Sequence, residues 1–266
     1  MSGLLRRSFP TASGLPPRAV VLTALAVVIL LATAAPLIDL RPAHLIASVG
    51  RLGAFLTNFA VPPDWSYVGT VLEKLFETIE MAFLATAIAA VFSLPLGVLA
   101  ARNASPYPAI SHGLRGLLTL MRSLPELMWA LVFVSAVGLG PLPGVMALAF
   151  VTVGFLGKFL AESIEAVPDG AVEGVAAHGA NRMQVRFFAL LPAAWPDFIA
   201  VLFYVFDHNV RAATILGLVG AGGLGFDMIM AMRLFRYERL ILIVLAIYLA
   251  VTILDRLSDR LRARVI

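Results

Sequence analysis

The chain has 266 residues, 61% of them hydrophobic and only 14% charged, with a mean hydropathy of +0.94. Soluble domains carry about 25% charged residues, so this composition cannot cover a water-facing surface and selects an integral membrane protein. The net charge is +4 with no cysteine, which excludes disulfides and thiolate metal sites; His44, His112, His178 and His208 lack metal-ligand spacing, and no basic run interleaved with aromatics points to nucleic acid.

In chain order, residues 1–18 are polar and basic, with Arg6, Arg7 and Arg18. Residues 19–38 form an uncharged apolar run of 20 residues, enough for one span at about 1.5 Å per residue. A cleaved signal peptide has a shorter apolar core of roughly 7–15 residues, so an uncleaved span is expected. Residues 39–69 are mixed; Leu45, Val49, Leu52, Phe55, Leu56 and Phe59 recur at helical spacing, as in a helix lying on the membrane surface. Glu73, Lys74, Glu77 and Glu80 lead into a second run at 78–101, which Pro95 should kink. A polar loop is expected at 104–116, and a third run at 119–138 with Arg122 and Glu126 at its start. The Gly/Pro stretch at 138–144 reads as a tight turn. A fourth run spans 144–161, a fifth 197–219 and a sixth 240–254, before a basic tail.

Six spans place both ends on one side. The N-terminal segment, the 102–122 and 158–186 regions and the tail hold thirteen Lys and Arg, against six on the other side. The positive-inside rule therefore puts both termini in the cytoplasm. The expected fold is an all-α polytopic transmembrane helix bundle. It divides into a cytoplasmic segment at 1–18 and one membrane domain at 19–266, with a cytoplasmic loop at 167–196.

That loop is the longest polar interruption in the second half of the chain. Pro168-Asp169 is a helix start with Asp169 as cap, and Gly179 should stop the helix in a left-handed conformation. Asn181 should cap a second short helix that Pro192 and Pro196 end. On pattern alone the loop reads equally well as an amphipathic connector.

Glu173, Gly179 six residues later and Leu191-Pro192 after eleven more resemble the EAA loop of ABC importer permeases. Gly174 and Val175 replace its two alanines, and Ala189 its isoleucine. The segments at 206–228, 122–127 and 154–165 look like the phosphonate permeases of that superfamily. The resemblance implies that Glu173, Ala176, Ala177, Gly179, Leu191 and Pro192 couple the chain to an ATP-binding subunit. It also implies two such subunits holding ATP and magnesium, an extracytoplasmic substrate-binding protein and a second permease copy or paralogue. The substrate it implies is phosphonate or a related phosphorus oxyanion, moved by alternating access. Phosphate, phosphite and an amino-acid-like solute are the alternatives.

The glycines at 220–225 fit the GxGxxG pattern but follow an apolar span rather than a strand, so a dinucleotide site is not expected. Gly220, Gly222, Gly223 and Gly225 read instead as an extracytoplasmic turn. The segment at 154–158 lacks the glycine spacing and hydroxyl of a phosphate loop, so this chain binds no ATP or other cofactor itself. Asp207, His208, Asn209 and Arg211 fall at the centre of the fifth run, where ionisable groups are functional by default. Either Asp207 and Arg211 neutralise each other as a helix pair, or Arg211, with His208 or Asn209, lines the pathway and meets an oxyanion. A proton-coupled secondary transporter using Asp207 and His208 is the rival class. Arg122 with Glu126, and Lys158 with Glu162, lie four residues apart and read as ion pairs more readily than as substrate contacts. No nucleophile–base arrangement is evident, so no enzyme activity is expected.

Overall fold

The computed structural model describes residues 17–34, 42–57, 59 and 61–262. Expectations resting on Arg6, Arg7, Asp39, Arg41 and Arg264 lie outside them. The chain divides into two compact units, 1–60 and 61–266.

The first unit holds α1 (Pro17–Ala34) and α2 (Pro42–Thr57). Each begins on a proline, whose fixed φ suits the first helical position. Within α1, Val21–Thr33 is an apolar, exposed helix shorter than a full span. In α2, Val49, Leu52 and Phe55 are exposed at helical spacing, as expected of a surface-lying helix.

The second unit opens with Asp64 capping a single 3-10 turn, Trp65–Tyr67. It continues through α3 (Val68–Ala100), α4 (Pro108–Met121), α5 (Glu126–Val137), α6 (Pro141–Glu165), α7 (Asp169–Ala176), α8 (Arg182–Val185), α9 (Leu191–Leu216), α10 (Leu224–Arg233) and α11 (Tyr237–Arg262). Four helical stretches are long and apolar enough to cross a membrane: Trp65–Ala100, Pro141–Glu165, Arg182–Val219 and Tyr237–Ser258. The α4–α5 pair makes a fifth when its two bent halves are counted together.

Several expectations change. Helix α3 starts ten residues before the apolar run, and Pro95 sits inside it without ending it. The polar loop expected at 104–116 is largely helix α4. Its Arg115 is no solvated loop residue: it donates to Glu165 at 2.5 Å and to Ala100 O at 2.9 Å. The third span is not straight, because α4 and α5 meet at 85° around Arg122–Pro125. Pro125 has no N–H to give, and its ring crowds the preceding turn. The sixth run does not stop at 254; α11 continues to Arg262 and takes in Asp255.

Small residues decide how closely the spans pack. A Cβ on Gly97 would lie 2.9 Å from Gly157 O. One on Gly154 would lie 2.8 Å from Leu118 O and 3.4 Å from Arg122 N. Backbones that approach this closely gain dispersion contacts, which drive helix association where lipid is as apolar as the core. Around them Leu118, Leu156, Leu160, Ile164 and Phe198 form a fully buried cluster.

Candidate functional site

The 167–196 loop is a bent pair of short helices. Gly179 adopts φ 77° at the bend. Asn181 accepts from Gln184 N at 2.9 Å while Gln184 accepts from Asn181 N at 2.8 Å, a complete capping box. Asp169 is the first residue of α7 rather than its cap, a position held by Pro168. Pro192 and Pro196 do not end the second helix. The chain passes from α8 through a π turn, Arg186–Leu190, into α9, so Arg182–Val219 is a single stretch of 38 residues. The wider π turn accommodates the donor that Pro192 lacks. Glu173, Ala176, Ala177, Gly179 and Pro192 are exposed, and Leu191 is half-buried. The Glu173 carboxylate has no partner among the described residues, and Met183, Phe187 and Phe188 of the same loop are more than half exposed. A charged group beside bare aromatic surface suits protein docking.

At mid-membrane, α9 carries two kinds of polar residue. Asn209 is 1% exposed. Its Nδ2 donates to Thr86 Oγ1 at 2.9 Å, and its Oδ1 accepts from Thr152 at 3.2 Å, which joins α3, α6 and α9. This placement is among protein, away from any open path. Tyr204, His208, Arg211 and Ile215 recur at helical spacing and form one exposed stripe. Arg211 donates to Asp207 and, at 3.0 Å, to Asp255 of α11. The helix pair of Asp207 and Arg211 therefore exists within a triad of net charge −1, whose third member stands at the start of what reads in sequence as a tail.

The Arg122–Glu126 pair does not form. Glu126 turns to His208, with 3.4 Å between Oε1 and Nε2, and Arg122 lies over the Phe155 ring, 5.5 Å from its centroid. The 85° break aims the two side chains differently. Arg122 consequently sits beside Gly154, halfway along α6, rather than at the cytoplasmic edge. Removing it from the inside count leaves twelve Lys and Arg against six. Arg122, Glu126, Thr152, Phe155, Tyr204 and His208 enclose a pocket of about 240 Å³. The Lys158–Glu162 pair is present at 3.9 Å.

The glycine turn is pinned at both ends. Gly220, Gly222 and Gly223 have φ of 79°, 81° and 72°. Gly225 is helical, but a Cβ there would collide with Thr214 O. Glu77 accepts from Gly223 N at 3.0 Å and Thr78 from Leu224 N at 2.9 Å, which caps α10 from α3. Nearby, Asp64 accepts from Arg239 at 3.1 Å. The Ser66 hydroxyl, and after it Arg239, hold the Asp64 carboxyl below its ordinary range against a smaller opposing desolvation. No group of three or more metal-ligating side chains occurs among the described residues.

Residues 93–266 match the family described as "Binding-protein-dependent transport system inner membrane component". The chain is 44% identical over 209 residues to the phosphite transport system permease protein PtxC of Stutzerimonas stutzeri, covering 79% of this chain and 76% of that one. It is 36% identical over 240 residues to the putative phosphite permease HtxC of the same organism, covering 90% and 85%. It is 39% identical over 207 residues to the phosphate-import permease PhnE of Mycolicibacterium smegmatis, covering 77% of this chain but 39% of the relative. The fold is similar to a chain of the inward-facing MetNI methionine ABC transporter, at TM-score 0.67 and 21% identity, covering 76% and 99%. This chain belongs to the binding-protein-dependent transport system inner membrane components, and is a multi-pass permease subunit of an ABC importer.

Proposed function

We propose that the chain imports a phosphorus oxyanion such as phosphite, phosphonate or phosphate by alternating access, with both termini and the 167–196 loop in the cytoplasm. An importer of this family works with an ATPase, a substrate-binding protein and a second permease. In this reading there are two permeases, identical or paralogous, and two ATP-binding subunits that hold ATP and magnesium. The observation that carries the reading is the exposed stripe of Tyr204, His208 and Arg211, with Arg211 43% and His208 49% exposed. An ionisable group facing lipid at mid-membrane costs at least about 2.5–3.5 kcal/mol, so this stripe faces water or protein. The central path between two permeases supplies both.

The covalent path for the stroke is short. Glu173, Ala176, Ala177, Gly179, Leu191 and Pro192 form the seat for the ATP-binding subunit. The second short helix of that seat is the start of the rod that carries His208 and Arg211. Over 38 residues the rod measures about 57 Å. Closure of the ATP-binding subunits tilts its cytoplasmic end and so moves the charged stripe. The Gly220–Gly225 turn, held by Glu77 and Thr78, anchors the opposite end on the side of the binding protein.

The test is uptake by proteoliposomes holding the whole complex and its binding protein. ATP-dependent accumulation of labelled phosphite, phosphonate or phosphate is expected, insensitive to an uncoupler. Accumulation that needs a proton gradient but no ATP would make the chain a secondary transporter, and accumulation of none of the three would remove the substrate assignment.

A further inference from the structure

Two clusters on the exposed face of α9 contain an arginine, and their charges differ. Arg211 is shared by two carboxylates, Asp207 and Asp255. An anion arriving there must displace one carboxylate and remain beside the other. Arg122 has no carboxylate partner among the described residues; it rests on the face of Phe155 and lines the pocket. Tyr204 lines the same pocket, and its hydroxyl has no partner among the described residues. Glu126 is engaged by His208 through one carboxylate oxygen, Oε1.

We infer that the pocket between the α4–α5 break, α6 and α9 is an oxyanion site in which Arg122 binds the charge and Glu126 selects a protonated anion. This inference rests on the proposed function and assigns its residues. Arginine offers a planar fork that meets two oxygens of a tetrahedral anion together. Tyr204 donates a further hydrogen bond. Glu126 can only accept, so the anion that satisfies it must carry an O–H. Hydrogen phosphate carries one at neutral pH, as does the phosphite monoanion that coexists there with its dianion; sulfate carries none and meets Glu126 as a bare like charge. Arg211 then serves to bridge two carboxylates rather than to meet substrate. Gly154 is part of the same construction, because a side chain there would push the Arg122 turn off α6.

The chain has no cysteine, so a Val151→Cys variant places a single thiol at the pocket wall. Its maleimide labelling is followed by mass in the assembled complex with its ATP-binding subunits, with phosphite, phosphate or sulfate added. Phosphite and phosphate should slow labelling at least threefold and sulfate should not. Protection should vanish with Arg122→Gln, persist more weakly with Arg122→Lys, and extend to sulfate with Glu126→Gln. Protection that survives Arg122→Gln, equal protection by phosphite and sulfate, or no protection by either overturns the site. Where Val151→Cys fails to co-purify with the ATP-binding subunits, the melting temperature of the complex with unsubstituted Val151 is read instead: phosphite and phosphate should raise it, sulfate should not, and Arg122→Gln should abolish the rise. Uptake by the unmodified complex separates the two levels. Phosphite uptake without protection removes this pocket and keeps the function, whereas absence of uptake of any phosphorus oxyanion removes the function itself.

Discussion

His208 meets Glu126 across 82 residues of sequence, at 3.4 Å, while Arg122, one helical turn before Glu126, makes no ion pair with it. The contact ties α9 to the second half of the broken span. Combining Glu126→Gln and His208→Gln in a double-mutant cycle on thermal unfolding in detergent should give a coupling of about 0.6 kcal/mol, and at most about 1.7. The Arg122–Glu126 cycle should give a coupling near zero. A larger value for the local pair would restore the helix-end ion pair.

Arg211 should be needed for assembly more than its exposure suggests. Arg211→Leu leaves the Asp207 carboxylate, 10% exposed, beside Asp255 with no cation between them. Removing one member of a buried pair costs about 3–5 kcal/mol; with Arg211 43% exposed, on the order of 2 kcal/mol is expected. The double change Asp207→Asn with Arg211→Leu should recover most of the loss in melting temperature, since it removes both the cation and the carboxylate it neutralised. A double variant no more stable than the single one would contradict this account.

Two glycines should respond in opposite directions. Gly225→Ala drives a methyl group into Thr214 O, where α10 crosses the end of α9. Backbone cannot give way as a side chain does, so a loss of at least about 1–3 kcal/mol, seen as failed complex assembly, is expected. Gly170 has open space around it within α7. Gly170→Ala should stabilise that helix by up to about 1 kcal/mol and slow its amide exchange.

Acid should release the tether between Asp64 and α11. The folded-state carboxyl of Asp64 lies below its ordinary value, first through the Ser66 hydroxyl and then through Arg239. Its stabilising contribution is therefore full above the unfolded-state pKa and is lost as pH falls through the lower folded value. The protection of the Ser66 and Tyr67 amides against exchange, relative to their intrinsic rates at each pH, should fall between about pH 5 and pH 2, a window set by an ordinary carboxyl near 3.8 displaced downward. In Asp64→Asn that protection should be low throughout, with no step.

Much of this molecule is written locally. Too few charges for a soluble surface and apolar runs of span length fix the class, because a bilayer reads composition and length residue by residue. The Gly179 bend and the Asn181 cap are equally local, since left-handed φ and a capping box involve only neighbours. GxGxxG is preceded by helix, as its apolar flank required. Failures came wherever a local rule competed with packing. Pro125 broke a span that hydropathy alone drew straight. Pro192 and Pro196 did not break a helix, because the π turn before them absorbed the missing donor and α9 was held by its neighbours. The partners of the ionisable residues were the least legible of all. Spacing of four residues correctly paired Asp207 with Arg211 and Lys158 with Glu162, and wrongly paired Arg122 with Glu126. Sequence alone thus determined a polytopic all-α membrane protein with a bent, capped polar loop at 167–196, because span length and turn chemistry are properties of short segments. Only the tertiary structure decided that Asp255 shares Arg211, that Glu126 belongs to His208 and that Arg122 faces a pocket, because an ion pair is set by which helices lie side by side, and helix adjacency depends on contacts between residues far apart in the chain.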